Sequence, residues 1–301
     1  MTTATVTAAT TLKSVRDIKN APGRHWVGDG FPVQGMFGYG QGAQERSPFL
    51  MLDYAAPTSF SPNPDAHRRG VGTHPHRGFE TVTIVYDGEV EHRDSTGAGG
   101  VIGAGDVQWM TAGAGILHAE FHSEAYSKRG GPFEMVQLWV NLPAKDKMTP
   151  AHYQGITADT IATVALSDDA GQVRLIAGQL GQSKGAAETY TPMHVWDVRL
   201  NAGKAASLPQ PEGWTTLLLV QDGEAIINGQ SAHAGQLVTL SHDGGGLELQ
   251  AAGKNVRLLL LAGEPIDEPV VGYGPFVMNS QAEIRQAIDD FNSGRFGQIA
   301  D

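Results

Sequence analysis

Cysteine is absent from the 301-residue chain. Neither a disulfide nor a thiolate metal site can form, and any metal must rest on nitrogen and oxygen ligands. Basic residues are scarce as well: 21 Lys and Arg stand against 32 Asp and Glu. With no basic patch, direct nucleic-acid binding is excluded, and the net charge of −11 reads as a solubility feature. Long apolar runs are also missing, none approaching the roughly 20 residues of a membrane helix. Residues 1–11, rich in Thr and Ala, lack the basic-then-apolar layout of a secretory signal. They are expected to be a disordered tail, and the protein to be cytoplasmic.

Glycine is plentiful, with 39 residues, and 41% of the chain is hydrophobic. Many turns between short apolar stretches point to an all-β fold. The length suits two domains better than one, and we place them at 12–150 and 151–301.

Within the first, the segment from Val71 to His122 carries the chemistry. Residues two apart on a strand share a face. His74 and His76 can therefore aim at one point, as can His118 and Glu120, and three imidazoles with one carboxylate would hold a divalent metal. A lone His-x-His is often a surface coincidence; two such pairs at strand spacing are much less so. The donor set suits iron, manganese, nickel, copper or zinc. An octahedral ion would keep two positions for a guest, whereas zinc would more often close as a tetrahedron.

Other polar residues are less decided. Glu80 shares parity with the histidines and reads as a partner orienting one of them, with a fifth ligand or an alternate base as the other options. His122 reads as an exposed strand-end residue and His92 as a solvated hairpin residue. Trp109 lines either a pocket or the core, and Arg77 either snorkels or pairs with a carboxylate such as Glu120 or Glu80. His152, His194, His233 and His242 have no assigned role. The strand at 81–86 ends in Asp87-Gly88, a hairpin signal, with 89–92 as the return strand.

The second half echoes the first. Residues 219–224 match 84–89 at an offset of 135, and Gly235-Gln236-Leu237 matches Gly105-Asp106-Val107 at 130. These offsets lay His74 and His76 on Pro209 and Pro211, and His118 and Glu120 on Glu248 and Gln250, so a duplicated barrel with one metal per chain is expected. Near the end, Ser280 and Glu283 form a capping box, Ile284, Ile288 and Phe291 make an apolar stripe, and Gly294 is a stop. This helix is expected to be packing.

Three runs carry a resemblance: His74-Pro75-His76-Arg77-Gly78-Phe79-Glu80-Thr81, the stretch from Gly105 through Met110 to Glu120, and Tyr273-Gly274-Pro275-Phe276-Val277-Met278-Asn279. Over Leu12 to the C-terminus the chain resembles the pirin family of the cupin superfamily. The resemblance implies two tandem jelly-roll barrels with a short C-terminal helix. It also implies metal ligands at His74, His76, His118 and Glu120, and iron as the usual ion, with manganese, nickel, cobalt, copper or zinc as alternatives. Bacterial pirins of this kind have quercetin 2,3-dioxygenase activity, which implies a flavonol and dioxygen as substrates and Glu120 as the base. Animal relatives act as metal-dependent transcriptional co-regulators, which implies instead a protein partner. A monomer is expected. Thr73, where many relatives have proline, and His122 are the departures from the family pattern.

Overall fold

Thr215–Asp222 has the continuous apolar run Leu217 to Val220 at its centre and is buried on both faces up to Asp222. Such a continuous run marks a strand with protein on either side. Leu217 and Leu219 face one hydrophobic core, and Leu218 and Val220 the other. That double burial summarises the architecture. Two barrels, each made of a large and a small sheet, press their large sheets together.

The computed structural model describes residues 11–40, 42–63 and 67–299. The expected tail falls outside these residues except for Thr11, whose carbonyl accepts hydrogen bonds from the backbone N–H groups of Gly245 and Gly246. No described helix is long and apolar enough to cross a membrane.

Among the described residues, the first large sheet has seven strands. In order they are His152–Ile156, Val107–Thr111, Phe79–Asp87, Gly131–Asn141, Phe49–Phe60, Phe31–Phe37 and His25–Val27. Facing it is a four-stranded sheet of Gly70–His76, Ile116–His122, Val90–Asp94 and Gly99–Ile102. The second barrel repeats this order strand for strand. Its large sheet runs Val15–Asn20, Gln236–Leu240, Thr215–Asp222, Val256–Gly263, Met193–Leu200, Gly171–Ala177, Ala162–Leu166. Its small sheet runs Ala205–Pro209, Gly246–Ala251, Glu224–Ile227, Gln230–His233. The fold is all-β, with two tandem cupin barrels and a short C-terminal helix.

The sheets do not respect a cut at residue 150. The edge strand of the second large sheet, Val15–Asn20, comes from the chain's beginning and pairs with Gln236–Leu240. Residues 264–299 leave the second barrel and pack on the first. There Phe276, Met278, Ile284, Ala287 and Phe296 form a cluster that includes Leu117.

The Asp87-Gly88 turn is not a hairpin. Phe79–Asp87 pairs with Val107–Thr111 and Gly131–Asn141, whereas Val90–Asp94 belongs to the opposite sheet. Gly88, at φ +88°, makes the corner, and a Cβ there would come within 2.5 Å of the Phe133 ring. Asp222-Gly223 makes the same corner in the second barrel, with Gly223 at φ +79°.

The helix Gln281–Asn292 is capped as expected: Ser280 Oγ accepts from Glu283 N at 3.3 Å, and the Glu283 carboxylate accepts from Asn279 N. Its buried face differs from the expected stripe. Ile284, Ala287 and Asp290 are buried, while Phe291 is exposed.

Candidate metal centre

The antiparallel pairing of Gly70–His76 with Ile116–His122 sets His118 directly opposite His74. A bulge then shifts the register, so that Glu120 lies opposite Val71. On its other side the same strand pairs His118 with Asp94 and Glu120 with His92. Directly paired residues share a face, and this face lines the interior of the first barrel.

The imidazoles of His74, His76 and His118 converge, with ring centroids 4.2–4.9 Å apart and potential ligand atoms within 4.8 Å of one another. His92, His118 and Glu120 form a second such group sharing His118. Burial holds His76 and His118 well below the ordinary imidazole range, reinforced by the neighbouring histidines. Both rings are therefore neutral at pH 7, the form that offers a lone pair to a cation. His118 Nε2 and His76 Nδ1 are buried without a hydrogen-bond partner, and orphaned buried nitrogens of this kind are rare unless something else satisfies them. The residues fit a divalent cation on this ground.

The surroundings orient the cluster. His74 Nδ1 lies 2.8 Å from the Gly72 carbonyl, which leaves its Nε2 free. Glu120 Oε1 accepts from Gln108 Nε2 at 2.5 Å and from Thr83 Oγ1 at 3.1 Å. His92 lies in the barrel, fully buried, and is not the solvated hairpin residue expected from the sequence. Its Nε2 is 3.0 Å from Asp94 Oδ2, its Nδ1 is 3.4 Å from His118 Nδ1, and its ring stacks on Tyr153. Burial pushes the Asp94 carboxyl up, but hydrogen bonds from His92 and Thr96 outweigh it and hold the group below its usual value. Asp94 is thus an acceptor, and the proton it receives sits on His92 Nε2. In the tautomer that leaves His118 Nε2 bare, His118 donates to His92 and His92 donates to Asp94. No sequence pattern marks this pair: in Val90-Glu91-His92-Arg93-Asp94 every residue after Val90 is polar, and only the fold shows that His92 and Asp94 join Val90 on the buried face.

The remaining residues go elsewhere. Glu80 points away from the cluster, on the face that carries Val82 and Ile84 towards the second barrel. Its carboxyl accepts from Thr111 Oγ1 at 2.7 Å, its other oxygen has no partner, and burial pushes it up to about 7. Trp109 belongs to that same core. His122 is buried, not exposed; it is edged by Phe31 and Phe60, with Nε2 2.9 Å from the Gly30 carbonyl, and burial pushes it down to about 4. Arg77 pairs with neither expected glutamate. It donates to Asp290 of the C-terminal helix at 2.8 Å and to the Ala114 carbonyl, and lies over the Phe296 ring. Glu248 and Gln250 face outward, while Leu208, Leu247 and Leu249 fill the interior of the second barrel. A displacement of one residue in a strand exchanges its faces, so the 130 offset finds the right strand and the wrong side. Among the described residues, the histidine groups able to hold a metal lie in the first barrel.

A cavity of about 410 Å³ opens onto His74, His76 and Glu120. Its walls are mainly apolar, including Val33, Met51, Met135 and Trp139, with Asp53 and Gln137 as polar exceptions. Gly274 and Pro275 of the C-terminal hairpin close one side, held by Tyr39 Oη donating to the Gly274 carbonyl and by Arg77 N donating to Pro275 O.

Comparison with known proteins gives the family. The pirin profile matches residues 30–140, and that of the pirin C-terminal cupin domain matches 195–297. A Pseudomonas aeruginosa protein named "putative quercetin 2,3-dioxygenase" is 55% identical over 95% of this chain and 99% of its own. A crystal structure of quercetin 2,3-dioxygenase from Acinetobacter baumannii superposes with a TM-score of 0.92 at 51% identity, covering 96% of this chain and 100% of that one. The pirin YhhW from Escherichia coli, solved in complex with nickel(II), shares the fold at 20% identity and a TM-score of 0.62, over 83% of this chain and 99% of that one. The chain belongs to the pirin family.

Proposed function

We propose that the protein is a metal-dependent dioxygenase of the quercetin 2,3-dioxygenase type, working at His74, His76, His118 and Glu120. The observation that carries this reading is the convergence of three imidazoles, with unpartnered buried nitrogens, beside a carboxylate at the end of an apolar cavity. The names carried by relatives support it. Iron, the usual pirin metal, held by these four side chains would supply Lewis acidity and redox chemistry towards dioxygen.

The chain's own groups have separate tasks. The apolar walls exclude water and hold a flat ring system in place. Glu120 is the base that takes the proton of the flavonol 3-hydroxyl. Gln108 and Thr83 fix its Oε1, so that Oε2 is the oxygen turned to this work. His92 and Asp94 hold the His118 ring in its binding tautomer. The net reaction consumes dioxygen, opens the central ring of the flavonol and releases carbon monoxide.

Aerobic assay of the iron-loaded protein with quercetin should show metal-dependent loss of the flavonol absorbance. Absence of turnover with each of iron, manganese, nickel, cobalt and copper would reject the reading.

A further inference from the structure

A row of paired residues crosses the inner face of the first large sheet. Gln108 is opposite Thr83, Thr83 opposite Gln137, and Gln137 opposite Asp53. At one end the row touches the candidate centre, where Gln108 and Thr83 both donate to Glu120. In the middle, Thr83 Oγ1 lies 3.3 Å from Gln137 Oε1, which leaves the Gln137 amide nitrogen without that partner. At the other end stands Asp53, two strands from Thr83. Strand spacing places it about 10 Å along the cavity.

Asp53 is 9% exposed, and among the described residues no side chain or backbone N–H donates a hydrogen bond to its carboxylate. It lines the cavity amid Val33, Met51 and Met135. Buried carboxylates with a structural role are hydrogen-bonded or ion-paired, and Asp53 shows no such partner. Burial pushes its carboxyl up, with His25 pulling the other way. Space is kept open beside it: a Cβ on Gly35 would lie 3.3 Å from Asp53 Oδ1 and 3.5 Å from His25 Cε1. The cavity thus has two polar poles separated by apolar wall.

We propose that Asp53, assisted by Gln137, is the specificity-determining residue of the cavity. It accepts a hydrogen bond from a peripheral hydroxyl of a flat aromatic guest whose chelating end lies at Glu120. This rests on the flavonol reading above. A carboxylate accepts from a hydroxyl, and a protonated carboxyl both donates and accepts, so the pairing holds in either form. A site built to bind a hydroxyl rejects an analogue lacking it, because its own buried group is then left unpaired.

The test is binding to the nickel-loaded protein by titration calorimetry, with quercetin and with 3-hydroxyflavone, which keeps the chelating 3-hydroxyl and 4-carbonyl but has no peripheral hydroxyl. The wild type should favour quercetin, and Asp53→Leu should lose quercetin affinity roughly tenfold or more while holding 3-hydroxyflavone within about twofold. Asp53→Leu should also melt higher, since it removes a buried unpartnered carboxyl, and nickel content should not change. Asp53→Val, which also removes both carboxylate oxygens, supplies the same ratio of affinities if the leucine variant does not fold. Equal losses for both ligands, or no loss for quercetin, would overturn the assignment of Asp53 and leave the flavonol reading standing. Wild-type protein that binds neither ligand would overturn both.

Discussion

At the scale of single residues, His118 is the pivot, because its two nitrogens face different partners. Nδ1 meets the His92–Asp94 pair and Nε2 is free. Alanine at His74 or His118 should therefore remove most bound metal by elemental analysis, whereas substitutions at Pro209 or Glu248 should leave it unchanged. Asp94→Asn should weaken metal retention by roughly 10–100-fold against a competing chelator, the range typical of groups that orient a ligand. Glu80 makes a different prediction. Its folded-state value of about 7 lies above the ordinary 4.5, so the stability tied to its protonated form is complete below about pH 4.5 and is lost as pH rises through 7. Glu80→Gln should match the wild type in melting temperature near pH 4.5 and pull ahead towards pH 8, by at most about 3 kcal/mol. The four proposed ligands were legible because strand parity pairs His74 with His76 and His118 with Glu120, although the same parity also admits Glu80 and His122, which lie elsewhere. Asp53 was not, because a single aspartate in an apolar strand carries no pattern; only the register with Gln137 and Thr83 reveals what it faces.

At the scale of elements, the C-terminal hairpin and helix act as a strap over the first barrel. Lys147 Nζ donates to the carbonyls of Gly78 and Val277 and to Asn141 Oδ1, tying the strap to the sheet. Asp290 anchors the helix through the buried Arg77 guanidinium and through Arg295. Asp290→Ala leaves Arg77 buried without its counter-charge, and should cost about 3–5 kcal/mol. Limited proteolysis should then cut within residues 279–299 before the barrels open. Reading the helix from apolar spacing located its caps and missed its anchor, since a buried charge does not count towards a hydrophobic stripe. The Asp87-Gly88 turn is a parallel case. Two residues specify a reversal of the chain, but whether the next strand joins the same sheet depends on the distant strands Val107–Thr111 and Ile116–His122.

At the scale of the whole molecule, the largest apolar cluster belongs to neither barrel alone. Leu52, Ile84, Trp109 and Leu138 pack with Ile176, Val195, Leu217 and Leu259. Two units sharing a core should unfold together, and calorimetry should show one transition. Leu259→Ala, a cavity in the second barrel's contribution, should cost about 2–5 kcal/mol. It should lower the temperature at which the first barrel releases its metal by the same amount as the global transition. The repeat was visible in the sequence through its glycine corners, because turns keep their chemistry while barrel interiors diverge from histidine to leucine. The join was not visible, since pairing between Val15 and Leu240 leaves no local mark.

That pairing has a bearing on biosynthesis. Val15–Asn20 is synthesised long before the edge it completes, Gln236–Leu240. The nascent chain must carry an unzipped β segment until that edge is made, so the second barrel closes only after its later strands appear. Moving the first twenty residues behind the last by circular permutation would alter the order of assembly.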